Sequence, residues 1–184
     1  SGGTLHVSDP DHDQAGFIAQ TVTTAEGGRF NINAQGHWSY NIENDKVQHL
    51  GAGESFQQTF TVESIDGSAK KDITVTVHGT NDVPIVASVI SGQTATEDGA
   101  FAFSVPAGTF DDIDAKDSLT LSAGSLPGWL SFDPTTGTFT GTPTNSDVGT
   151  TQVTVTATDA HGATVSTAFD LVVNNTNDAP TLNP

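Results

Sequence analysis

The chain is built from short runs in which apolar and polar residues alternate, and that alternation narrows its possible folds more than any other feature. TFTVESI (59–65), DITVTVHG (72–79), FAFSV (101–105), SLTLSA (118–123), TQVTVTATD (151–159) and TAFDLVV (167–173) are the clearest cases. A period of two sends successive side chains to opposite faces of an extended segment, so each run reads as a strand with one buried face. Val, Thr, Ile and Phe, which suit a pleated surface, supply most of these positions. Gly, Asn, Asp and Pro punctuate the runs at short spacing, as turns between strands require. No segment carries a helical period. The pattern predicts an all-β chain, and 184 residues accommodate two sandwiches of ordinary size.

An internal comparison supports the division into two. GTNDVP at Gly79–Pro84 returns as NTNDAP at Asn175–Pro180. Asp66 in SIDGS and Asp159 in ATDAHG each follow a strand and precede a turn glycine. Glu54 stands as far before Asp66 as Asp147 stands before Asp159. Near the front of each unit lies an Asp-x-Asp, Asp9 and Asp11 in SDPDHD and Asp112 and Asp114 in DDIDAKD. The same order of acidic features, ending in Asn81-Asp82 and in Asn177-Asp178, therefore runs twice. The units are cousins rather than copies. GRFNINAQGHWSYNI in the first faces LPGWLSFDPTTGTFTGTP in the second, and the first has no counterpart of TATEDGAFAFSV. The expected organisation is a sandwich over 1–82, a second over 83–178, and the start of a further linker at 179–184. The first is expected to lack its N-terminal strand, and SGGTLHV reads as a cut into a longer protein.

Charge removes several function classes. Asp and Glu total 22 against 5 Lys and Arg, a formal charge of −17, so nucleic acid, which needs a basic face, is not an expected partner. Cysteine is absent, which excludes disulfides, thiolate metal sites and a cysteine nucleophile. No apolar run is long enough for a bilayer and no signal-peptide pattern opens the chain, so membrane insertion is not expected. The six histidines (6, 12, 37, 49, 78, 161) form neither HExxH nor H-x-H, and no GxSxG or phosphate-binding glycine loop is present. An enzyme is not expected. Trp38 with Tyr40, and Trp129, are candidates for a sugar-stacking platform, but their place on strands favours core packing.

What remains is the acidic pattern itself. Calcium takes six to eight oxygens from carboxylates, amide and backbone carbonyls and water. Asp-x-Asp on an extended segment points two carboxylates the same way, and an Asn-Asp pair stiffened by a following proline adds an amide and a carboxylate. Each feature alone fits a capped turn equally well; the repeated order favours metal. DPDHDQAGFIAQ (9–20) starts like an EF-hand loop but places Gln14 and Gln20 where that loop needs Gly and Glu, so the EF-hand reading fails.

These residues carry a resemblance. GGTLHVSDPDHDQAGFIAQ, GGRFNINAQGHWSYNIENDKVQHLGAGESFQQTFTVESIDGSAKKDITVTVHGTND resembles a VCBS repeat of large bacterial adhesins, over nearly all of residues 1–82. PGWLSFDPTTGTFTGTPTNSDVGTTQVTVTATDAHGATVSTAFDLVV resembles the dystroglycan-type cadherin-like domain, over about 85–178. The resemblance implies two tandem Ig/cadherin-like Greek-key β-sandwich domains in a long, secreted protein held at the bacterial surface. Such proteins often carry RTX repeats elsewhere; no RTX nonapeptide stands here. It implies Ca2+ as cofactor and neighbouring β-sandwich domains as partners. It also implies how ligands are shared. Glu54, Asn81 and Asp82 would join Asp112, Asp114 and Asp159 at one junction. Glu97, Asp147, Asn177 and Asp178 would form half of a following one, and Asp9, Asp11 and Asp66 half of a preceding one. The expected function is a calcium-rigidified extender or stalk of a surface adhesin, serving cell adhesion or biofilm formation. The alternative is a calcium-dependent domain that binds carbohydrate or peptide.

Overall fold

A computed structural model of the chain describes residues 1–10 and 15–180. They divide into two compact units, Ser1–Asn81 and Asp82–Pro184. Each is a sandwich of strands, and the only helical segments among the described residues are two short 3-10 turns, Asn44–Lys46 and Asn145–Asp147. The all-β expectation holds, and each of the six alternating runs lies on a strand.

In the first unit the strands are β1 (Gly2–Thr4), β2 (Gln20–Thr23), β3 (Arg29–Ile32), β4 (His37–Asn41), β5 (Ser55–Glu63) and β6 (Lys70–His78). One sheet has the order β1-β4-β3-β2 and the other is the hairpin β5-β6, all antiparallel. Alternation decides which faces meet. Phe30, Ile32 and Tyr40 point inward from the first sheet, and Phe60, Val62, Ile73 and Val75 from the second. Phe30 and Phe60 stack across the interface with ring centroids 4.3 Å apart, worth about 1 kcal/mol beyond their burial. On the outer face of the hairpin, Thr59 pairs with Thr74 and Thr61 donates to Asp72, the polar half of the alternation. Gly79, at the exit of β6, donates its N–H to the Glu54 carbonyl, and a Cβ here would fall 2.2 Å from the Leu50 carbonyl oxygen. Only glycine lets the chain pass so close to that turn.

In the second unit the strands are β7 (Ile85–Val86), β8 (Gln93–Thr96), β9 (Phe101–Ser104), β10 (Phe110–Asp111), β11 (Thr120–Ala123), β12 (Leu130–Asp133), β13 (Thr138–Gly141), β14 (Gly149–Thr158) and β15 (Thr164–Asn174). One sheet runs β11-β14-β15-β8, with β8 parallel to β15; the facing sheet runs β12-β13-β9. Consecutive β8 and β9 thus lie in different sheets, as a Greek-key sandwich requires. The core gathers Val153 and Val155 from β14, Phe169, Leu171 and Val173 from β15, and Phe139 from β13. Phe139 is fully buried and touches Phe132, Phe169 and Phe103, with centroids at 4.5, 5.7 and 6.4 Å. In the first unit β1 pairs with β4 as β9 pairs with β13, but among the described residues no strand flanks β6 as β8 flanks β15.

Two features of this topology place the acidic residues. The small pair β7–β10, extended by the Ala87 and Ser88 N–H groups donating to Thr109 O, holds the segment after Asp82 against the segment before Asp112. The long strand β15 starts at the hairpin that carries Asp159 and ends where Asn174 pairs with Thr96, next to Glu97. Eleven residues span roughly 33 Å, so acidic groups collect at both ends of this one sandwich.

Candidate metal centre

At one end, the chain leaving β10 folds into a turn whose carboxylates point inward. The Asp114 N–H donates to Asp112 Oδ1 and the Asp117 N–H to the Asp114 carbonyl, both at 3.0 Å. The Asp82 N–H donates to Asp114 Oδ2 at 2.9 Å. Asp114 is only 3% exposed, and its Oδ1, like Asp112 Oδ2, is buried with no hydrogen-bond partner. A buried carboxylate oxygen without a donor is costly unless a cation reaches it. From the β14–β15 hairpin comes Asp159, whose Oδ1 accepts the His161 and Ala163 N–H groups at 2.8 Å each. Asp117, Asp159 and His161 place ligand atoms within 4.8 Å of one another.

The crowding is visible in titration. Desolvation raises the Asp112 carboxyl above the ordinary carboxylate range; the negative charges of Asp114, Asp117 and Asp159 push it further, against the hydrogen bond from Asp114. The sign for stability follows by linkage. With its folded pKa raised above the unfolded value, Asp112 favours the folded metal-free unit below the unfolded carboxylate pKa of about 4, and that contribution is lost as pH rises through the folded pKa. Asp112→Asn is expected to flatten this slope in thermal melts recorded in chelator across a pH series; an unchanged slope would remove Asp112 as its origin.

At the opposite end, Glu97 is 2% exposed. Its Oε2 accepts the Thr176 N–H at 3.1 Å, while Oε1 is buried and without a hydrogen-bond partner. Glu97, Asp98 and Asp178 bring ligand atoms within 4.8 Å of one another. Asp98 has a φ of 56°, a left-handed conformation that a non-glycine residue adopts at a cost and that aspartate tolerates better than most. Asn145 Nδ2 donates to Asp178 Oδ2.

The residues proposed from sequence thus fare differently. Asp112, Asp114 and Asp159 come together, and the Asp82 N–H reaches Asp114. Glu97 and Asp178 come together. Asp147 does not join them: its Oδ2 accepts the Thr144 N–H and hydroxyl in a capping box, and the same two bonds lower its pKa. Asn177 is exposed. In the first unit, Glu54 Oε2 accepts the Gly51 N–H. Asp66 closes its own turn through Ser64 and Ser68, which pull its pKa down to about 2. Asn81 and Asp9 are half-buried, and Asp11 lies outside the described residues. Among the described residues, no three ligating side chains gather in the first unit. Sequence reasoning passed over Asp98, Asp117 and His161, although each stands within three residues of a named ligand.

Residues 83–174, half of the chain, match the family described as Putative Ig domain. The chain belongs to that family. This Ig-domain chain is also 31% identical over 111 residues to the "Serine-rich adhesin for platelets" of Staphylococcus aureus (strain MRSA252). The match covers 60% of the chain but only 7% of that relative's length. Among solved structures, human mucin-like protocadherin EC1-2 matches at 15% identity and a TM-score of 0.56, over 88% of this chain and 83% of that one. Mouse cadherin-23 EC22-24 matches at 18% identity and a TM-score of 0.54, over 88% and 54% respectively. At such identities the likeness concerns the fold: the Ig-domain chain has a cadherin-like sandwich architecture.

Proposed function

We propose that the chain is a calcium-stiffened extender segment of a long adhesin displayed on a bacterial surface, serving attachment rather than catalysis. The observation that carries this reading is Asp114, a buried carboxylate with one donor and one orphaned oxygen among three further aspartates. In this reading Asp82, Asp112, Asp114 and Asp159 hold one calcium ion, and Glu97, Asp98 and Asp178 another. Glu54 and Asn81 are assigned to the first ion on motif order, and Asp147, Asn177, Asp9, Asp11 and Asp66 to neighbouring junctions on the same ground. The finer description, a VCBS repeat followed by a dystroglycan-type cadherin-like domain, belongs to this proposal, as does secretion.

The extender reading is preferred to glycan or peptide recognition because the aromatic residues are committed to packing. Trp38 lies over Phe30, Trp129 meets Phe101 edge-on, Tyr40 is buried, and no phenylalanine is exposed. No stacking platform stands beside either acidic end among the described residues. Small-angle scattering with calcium and with excess EDTA tests the mechanical part. A longer, stiffer particle with calcium is expected; superimposable profiles would refute stiffening and return priority to ligand screening.

A further inference from the structure

The two acidic ends of the second unit differ in donor chemistry. Glu97, Asp98 and Asp178 offer oxygen alone. At the other end, His161 introduces a nitrogen, and neither it nor Asp117 has a part in the proposed calcium set. We propose that Asp117, Asp159 and His161 form a separate mixed nitrogen–oxygen site for a first-row transition ion.

Burial and geometry both point there. The Asp117 side chain is 9% exposed, and its Oδ2 is buried, makes no hydrogen bond, and lies 3.5 Å from His161 Nδ1. That is long for a hydrogen bond. It suits two donors on one ion: at zinc–ligand distances near 2.0–2.1 Å and tetrahedral angles, neighbouring ligand atoms lie roughly 3.3–3.5 Å apart. Asp159, 5% exposed, completes three ligand atoms within 4.8 Å.

The hairpin is also built to hold the imidazole in place. Asp159 Oδ1 accepts the His161 N–H, and Gly162, at φ 89°, turns the chain back so that Ala163 N–H reaches the same oxygen. The histidine is therefore anchored through its own backbone to a co-ligand. Its side chain remains 40% exposed, which leaves an entry path and room for water as a further ligand. Imidazole nitrogen is a poor calcium donor and a good one for zinc, copper or nickel, so Asp117, Asp159 and His161 together favour a different ion from the all-oxygen calcium sets. An ion pair between Asp117 and a protonated His161 is the competing use of the contact, and it predicts no metal selectivity.

The site shares Asp159 with the proposed calcium set but does not depend on it. The test is a titration of the metal-free whole chain with Zn2+ at neutral pH. It is followed by NMR of the histidine ring nitrogens and by calorimetry, with a parallel Ca2+ titration. Zinc is expected to shift the His161 ring signals at a stoichiometric point, with Asp117→Asn and His161→Ala each weakening that site about tenfold or more. His161→Ala should leave the Ca2+ isotherm within about twofold, since calcium draws on oxygen donors. Unmoved His161 signals, or a His161→Ala chain that binds zinc like the wild type, would overturn the proposal whatever calcium does. Zinc binding at His161 without calcium binding would leave it standing and defeat the calcium reading instead.

Discussion

Calcium added to the chelated protein is expected to raise the melting temperature of the unit Asp82–Pro184 by about 10–20 °C. A ligand at 100 times its dissociation constant stabilises the folded state by about 2.7 kcal/mol, and in a domain of this size each kcal/mol moves the midpoint by about 4–8 °C. Asp114→Asn provides the sharper test because its effect changes sign with the medium. The asparagine side-chain oxygen still accepts the Asp82 N–H that now reaches Asp114 Oδ2, so the turn keeps its shape. In chelator the variant loses one buried negative charge from a group that already repels Asp112, and it should melt no lower than the wild type. In calcium it lacks a charged ligand and should lose most of the gain of about 10–20 °C. A variant that is less stable in both media by the same amount would mark Asp114 as structural only, and equal melting of the wild type with and without chelator would remove calcium from the account.

The second large effect concerns the core. Phe139→Ala is expected to destabilise its unit by about 3–5 kcal/mol, through lost burial and the cavity left among Phe103, Phe132 and Phe169. Against a total of about 5–15 kcal/mol for a domain, that removes a large part of the stability. The first unit has its own core around Phe30 and Phe60, so calorimetry should show an early transition for Asp82–Pro184 and a retained one for Ser1–Asn81. A single cooperative transition moved as a whole would mean that the two units fold together.

Long strands were readable in the sequence because each has one buried face. Val153, Val155 and Ala157 alternate with threonines along β14, and the alternation alone announces the strand. The two-residue pair β7–β10 was not readable, since two residues hold no period, yet it is what brings Asp82 to Asp114. Glu97 was identifiable from TATEDGAF by likeness to a known domain. Its partner Asp98 lies beside Asp178 on a left-handed backbone, a conformation that no sequence period encodes. Asp117 and His161 meet through a β-turn and a hairpin far apart in sequence, a pairing no spacing rule contains. Asp147 illustrates the converse. Its spacing to Asp159 suggested a ligand, while the local pattern Thr144-x-x-Asp147 already spelled a capping box.

The parallel pairing of β8 with β15 bears on how such a segment carries tension. A pull on the chain before Gln93 and after Asn174 drags these two neighbours in opposite directions along their own length. The ladder from Gln93↔Leu171 to Asn174↔Thr96 is then loaded in shear, all of its hydrogen bonds sharing the force, rather than being unzipped one at a time. Beyond the short β7–β10 pair at the start of the unit, the β8–β15 ladder is then expected to resist extension most, and Glu97, hydrogen-bonded through its N–H to the Asn174 carbonyl, fastens the end of that ladder next to the exit of the chain.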